Sequence, residues 1–169
     1  LRGFSQSILD KDRLSGPDIA AALQEASTMA YRGVSQPVEG TILTVIKDSA
    51  AAATKGAEGQ PNDPTSILKL AVDAARASVA RTPLLLSVLR EAGVVDAGGE
   101  GLRVILEGAL SYLRGEVSES QAALSLRERP SAAPRRAYGL SHQFYGYCTE
   151  FLVEGQGLDL EPIKAKIAT

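Results

Sequence analysis

The stretch Glu91–Leu102, "EAGVVDAGGEGL", decides how this chain is read. It breaks helix-forming sequence with an aspartate and closely spaced glycines. An apolar stripe at helical spacing then resumes through Leu102, Ile105, Leu106, Ala109, Leu110 and Leu113. A second stretch, Arg32–Val45 or "RGVSQPVEGTILTV", makes the same move, an abrupt turn running into an apolar helix. Both read as reversals between helices. Asp96 is placed to cap the later helix or to accept from a ligand hydroxyl, and Gly98, Gly99 and Gly101 leave room for a close approach.

The remaining sequence fits a mainly α domain. Ser15 or Gly16 caps a helix with Pro17 in its first turn, followed by apolar Ile19, Leu23, Ala26 and Ala30, and Gly33 fits a left-handed stop. The next helix is expected from about Gly40 to Ala57, with Ile42, Val45, Ile46, Ser49, Ala50 and Ala53 on one face and Lys47, Asp48 and Lys55 on the other. The alanines between Ser49 and Ala57 suit close helix packing. Asp63-Pro64 opens a third helix carrying Leu68, Ala71, Val72, Ala75 and Val79. Thr82-Pro83 should break or kink it, leaving "PLLLSVLREA" as a shorter helix that ends near Gly93.

The helical domain is therefore expected over residues 1–114, and the polar, Ser- and Arg-rich residues 115–136 read as a linker. Residues 137–169 read as the start of an α/β domain, with a strand in "FYGYCTEFLVEG" and a helix in "LDLEPIKAKIAT".

Composition excludes several function classes. The formal net charge is −2, with basic residues spread along the chain, so there is no footprint for nucleic acid. No apolar run reaches the roughly 20 residues that a membrane span needs, and the chain reads as cytoplasmic. Cys148 and His142 are the sole residues of their kinds, which excludes an internal disulfide and a metal site built from this chain's imidazoles. Aromatic residues are only 5% and tryptophan is absent, which suits closely packed helices. The opening "LRGFSQSIL" has no initiator Met and reads as the inside of a helix, the expected mark of a trimmed chain.

A helix N-terminus flanked by small residues presents unpaired N–H groups and a partial positive charge, so either turn could hold an anion or a ligand acceptor. In the first, Gly33 allows backbone approach, Pro37 stiffens the turn and Thr41 supplies a hydroxyl. The same residues equally serve as plain helix stops and caps. "GGEG" lacks the Lys-Ser/Thr pair of a phosphate loop, and no strand precedes it as a dinucleotide fingerprint requires. Glu150 and Glu154 share a face of the expected strand and carry no assigned chemistry.

"RGVSQPVEGTILTV", "RTPLLLSVLREAGVVDAGGEGL" and "YGYCTEFLV", in this order, closely resemble the bacterial fatty acid kinase ATP-binding subunit, over nearly the whole chain. The first domain of that family is of the dihydroxyacetone kinase L-subunit type, a barrel of amphipathic antiparallel helices with ATP held by the loops at one end. The resemblance implies that Gly33, Thr41 and Ile42 flank the nucleotide. Asp96, Ala97 and Gly98 match an Asp-Pro-Gly element beside the nucleoside, with Ala97 in place of proline, and Arg81 lies near a basic nucleotide contact.

It further implies magnesium held by an aspartate cluster and phosphates cradled by a Gly-Asn-Ser-Gly-like loop. Neither motif occurs here, and both are expected upstream of Leu1. The implied reaction of the complete protein transfers a phosphoryl group from magnesium-ATP to a fatty acid presented by a fatty-acid-binding protein, this chain alone being inactive. Cys148 would pair with a later His-x-His segment of the middle domain as a zinc site, and the sequence leaves open whether that domain forms a homodimer. A dihydroxyacetone-type kinase and a non-catalytic helical interaction module are the alternatives.

Overall fold

The computed structural model describes residues 1–59, 63–116, 155, 157–159, 162, 163 and 166. The chain divides into two units, Leu1–Arg129 and Pro130–Thr169. Among the described residues, the first holds α1 (Arg2–Ile8), α2 (Gly16–Arg32), α3 (Ile42–Gly59), α4 (Pro64–Leu85), α5 (Ser87–Ala92) and α6 (Ala97–Leu113), and no strand. In the second unit Pro162, Ile163 and Lys166 are helical. The expected linker beyond residue 116, the expected strand up to Glu154, and with them His142, Cys148 and Glu150, lie outside the described residues. No described helix is long and apolar enough to cross a membrane.

Local chemistry sets the helix starts. Ser15 caps α2 by accepting from the Asp18 amide, while the Asp18 carboxylate accepts from the Ser15 amide at 2.8 Å and from Lys11 at 2.5 Å. Asp63 caps α4, taking the Thr65 and Ser66 amides at 3.1 and 3.0 Å. Pro17 and Pro64 occupy first-turn positions, where a missing N–H costs nothing.

The core forms where α2, α3, α4 and α6 pack together. Ala50 and Ala53 of α3 and Ala71 and Ala75 of α4 are wholly buried, and side chains this small let helices approach closely. Around them Leu23, Val45, Ile67 and Val72 are almost completely buried, each contributing about 1.5–3 kcal/mol of transfer free energy. The α6 stripe is wider than the face α6 buries. Leu106 and Leu110 enter the core, whereas Ile105 and Leu113 remain exposed, because α6 packs only against α3 and α4. Its remaining apolar side chains border an open groove of about 680 Å³ shared with α1, α2 and α3.

Pro83 does not break α4 where the sequence suggested. The helix runs on to Leu85, the chain turns extended only at Leu86, and α5 begins at Ser87 instead of at Pro83. A proline inside a helix leaves the carbonyl four residues earlier, here that of Val79, without its N–H partner. The wholly buried Thr82 hydroxyl fills that vacancy, donating to the Val79 carbonyl at 2.8 Å. The same oxygen accepts the Asp96 amide at 3.0 Å, tying the end of α4 to the start of α6.

Thr82→Val keeps the shape and removes the hydroxyl, stranding the Asp96 amide and a lone pair of the Val79 carbonyl. Urea titration is expected to show a loss of about 1–3 kcal/mol, with Thr82→Ser close to wild type. Equal stability of the valine variant would mean the hydroxyl does not support the helix through Pro83.

Candidate functional site

The N-termini of α3 and α6 meet, and glycines allow it. A Cβ placed on Gly99 would lie 2.7 Å from the Val45 side chain, and one on Gly98 would lie 3.4 Å from Ile42 Cβ. The room that the sequence assigned to a ligand at Gly99 is thus taken by α3 itself, while nothing lies within 4 Å of a Cβ built at Gly101. Asp96 caps α6, its carboxylate accepting the Gly99 amide at 2.6 Å. Of the first-turn amides, those of Ala97 and Gly98 are not engaged by that cap, and both residues are exposed.

The turn before α3 departs from expectation. Gly33 is not a left-handed stop. Its φ and ψ are −79° and −6°, its amide donates to the Met29 carbonyl at 3.0 Å, and it borders a recess with Leu1–Gly3 at the start of α1. The left-handed residue is Gly40, with φ 86°, and α3 starts two residues on, at Ile42. Gly40 is buried against the end of α4. An added Cβ would fall 2.9 Å from Leu86 Cβ, 3.0 Å from Leu85 Cβ and 3.1 Å from the Thr82 carbonyl oxygen. Thr82 therefore touches both turns, through its carbonyl at Gly40 and its hydroxyl at Asp96.

Side-chain hydrogen bonds fix the Gly40 turn. The Thr41 hydroxyl donates to the Val38 carbonyl at 2.7 Å and accepts the Leu43 amide at 3.3 Å, so its proton is already committed. The Thr44 hydroxyl accepts the Gly40 amide at 2.8 Å and donates to Glu39 Oε2 at 2.7 Å. Glu39 Oε1 accepts from Tyr31 at 2.9 Å and from Lys47 at 2.6 Å, and the Lys47 ammonium sits 5.7 Å from the Tyr31 ring centroid. These donors, Lys47 first and then Thr44, hold the Glu39 carboxyl down at about 2. Partial burial raises Tyr31, and the bond to Glu39 raises Lys47.

Thr41, Ile42, Asp96, Ala97 and Gly98 are thus gathered at the meeting of two helix starts. Ile42, Val38, Leu85, Val94 and Val95, all on the segments around it, expose aliphatic surface. Arg81 is held elsewhere, on Asp48 Oδ2 at 2.8 Å, where the buried Ser78 also donates at 2.6 Å. Reading the sequence missed Thr82, Glu39, Gly40 and Thr44. A threonine directly before an in-helix proline is a usable signal for the first; the others reveal themselves only once the turn is folded. Among the described residues no group of three or more His, Cys, Asp or Glu side chains is placed to hold a metal ion.

The family model described as the DAK2 domain matches residues 1–111. Protein YloV of Bacillus subtilis strain 168 is 43% identical over 157 residues, which is 90% of this chain and 28% of that protein. An uncharacterized protein of Staphylococcus epidermidis strain ATCC 12228 is 40% identical, and one of Staphylococcus aureus strain USA300 is 37% identical, each over 155 residues with the same shares of 90% and 28%. The chain thus spans about 28% of the length of the curated relatives it matches.

Two outcomes follow from the turn. Gly40→Ala meets both a positive φ and backbone contact, and is expected to lower stability by about 1–3 kcal/mol in strain alone, measured by denaturant unfolding. Wild-type stability in that variant would mean the turn is free to adopt another form. The second concerns acid. A carboxylate depressed on folding stabilises above its unfolded pKa, near 4.5 for Glu39, and that contribution is lost as pH falls towards about 2. Glu39 is about half exposed, so solvent screening keeps this contribution small. Glu39→Gln should flatten the fall in melting temperature between these two values only slightly, and an unchanged slope would exclude Glu39 as a contributor.

Proposed function

The chain belongs to the DAK2 domain family, the domain of dihydroxyacetone kinase-type enzymes, which in those kinases binds ADP or ATP with magnesium; on that premise we propose that it supplies the nucleotide-facing helices of an ATP-dependent kinase acting on a fatty acid carboxylate. The observation that carries this reading is the seating of the α6 start on the α3 start, with the Ala97 and Gly98 amides outside the Asp96 cap and Ile42 half exposed beside them. Two helix N-termini at one place favour negative charge and offer amide donors, while the aliphatic side chains offer a face for a nucleobase. In this reading Ile42 gives the apolar wall, Thr41 a polar contact through its oxygen, and Asp96, Ala97 and Gly98 the edge beside the nucleoside. Gly33 and Arg81 flank the nucleotide at greater remove, Arg81 having first to leave Asp48.

The reaction is a phosphoryl transfer. A carboxylate oxygen of the acid attacks the γ-phosphorus, the bond from that phosphorus to the β–γ bridging oxygen breaks, and ADP departs, leaving an acyl phosphate. Such transfers depend mainly on positioning and charge stabilisation. Among the described residues no group of three or more His, Cys, Asp or Glu side chains is placed to hold magnesium, whose charge would neutralise the phosphate oxygens. A separate fatty-acid-binding protein would present the acid, which is too apolar to reach the site efficiently alone. Membership of the family also favours a second reading, in which a hydroxyl of a small ketone such as dihydroxyacetone is the acceptor and a phosphate ester the product.

The full-length protein, given magnesium-ATP with either a fatty acid on its carrier protein or dihydroxyacetone, separates these readings. Hydroxylamine should trap an acyl hydroxamate in the first mixture only. Asp96→Ala should weaken magnesium-ATP binding at least about tenfold, or about 1.4 kcal/mol, in calorimetry. Asp96→Asn, which keeps an acceptor for the Gly99 amide, separates the cap from ligand contact. Product from dihydroxyacetone alone would install the ketone reading, and absence of nucleotide binding would leave a helical interaction module.

A further inference from the structure

We infer that Glu39 and Thr44 are positioning residues for the Gly40–Ile42 turn, setting where the start of α3 meets its ligand; this rests on the reading of that turn as part of a nucleotide site. Their bonds form a relay. Tyr31 from α2 and Lys47 from α3 hold one carboxylate oxygen of Glu39, the other oxygen takes the Thr44 hydroxyl proton, and the Thr44 oxygen takes the Gly40 amide. The relay ends at the left-handed residue, which lies close to the end of α4.

What separates this from ordinary structural bonding is where the relay acts. Val34 to Glu39 are all exposed and contribute nothing to the core, and an exposed ion pair such as Glu39–Lys47 adds little to overall stability. Thr44 is almost fully buried, and its hydroxyl meets the Gly40 amide and Glu39. Losing the relay therefore loosens the turn, at some cost in stability where the amide of buried Gly40 loses its acceptor, and leaves the apolar residues of the α2–α3–α4 core in place. Displacements of about 1 Å at a binding turn are enough to cost a large factor in a positioned reaction.

The test uses magnesium-ATP calorimetry on the full-length protein, with melting temperature measured in parallel. Glu39→Ala and Thr44→Val should each raise Kd about tenfold, and the double variant should be no worse than the weaker single, because both act through one turn. Thr44→Ser, which restores the hydroxyl, should return Kd to within about twofold of wild type, and Glu39→Gln should fall between wild type and alanine. Wild-type affinity in Glu39→Ala and Thr44→Val, with binding intact, overturns the relay and leaves the nucleotide reading standing. Affinity losses that add in the double variant, or that merely track melting temperature across the set, also overturn it. If wild type binds no nucleotide, the site reading falls and the relay falls with it.

Discussion

The buried hydroxyl of Thr82 is the point on which the described unit turns. It answers the carbonyl that Pro83 orphans, and so allows α4 to run one more turn before the chain leaves the helix at Leu86. That extra turn carries Leu85 and Leu86 under Gly40. The hydroxyl oxygen also holds the amide that opens α6. One side chain thereby sets the distance between two reversals far apart in sequence. An unmade hydrogen bond here would cost more than the bond itself contributes, since the groups left behind are shielded from water.

Close approach is the second condition, and it is met by the absence of side chains. The core pairs α3 with α4 through wholly buried alanines, and the start of α6 lies on α3 because Gly99 leaves room for Val45. Two helix starts brought together add their partial positive charges, each able to favour an anion by about 0.3–1 kcal/mol when exposed. Such an arrangement is mildly unfavourable when empty, and Asp96 offsets part of it by capping α6 with a carboxylate.

Charge elsewhere follows a plainer pattern. Arg103 bridges Glu100 and Glu107 along α6, and Arg76 of α4 reaches Glu107, so these groups tie α4 to α6 along their exposed edges. Arg81 belongs to the same kind of surface, paired with Asp48 of α3. A basic residue near a site in sequence need not face it, because neighbours on a helix point about 100° apart. Thr82 faces inward and Arg81 outward for that reason alone.

The sequence by itself determined the helical class, the helix starts at Ser15 or Gly16, at Asp63 and at Asp96, and the inward faces of α2, α3 and α4 apart from the exposed Ile42, because these depend on contacts within one or two turns. Its ordered motifs also pointed to the dihydroxyacetone kinase type of domain, and the match to the DAK2 domain bears out that much. It misplaced the left-handed residue at Gly33 and the helix break at Pro83, and it drew the α6 stripe wider than the face that is buried. Each error has the same origin. Whether Gly33 or Gly40 reverses the chain depends on the Glu39–Thr44 bonds and on the wall formed by Leu85 and Leu86. Whether a proline ends a helix depends on what else can satisfy the freed carbonyl. Whether an apolar residue is covered depends on which helices lie against it. Those partners are distant in sequence, so only the packed structure could decide them.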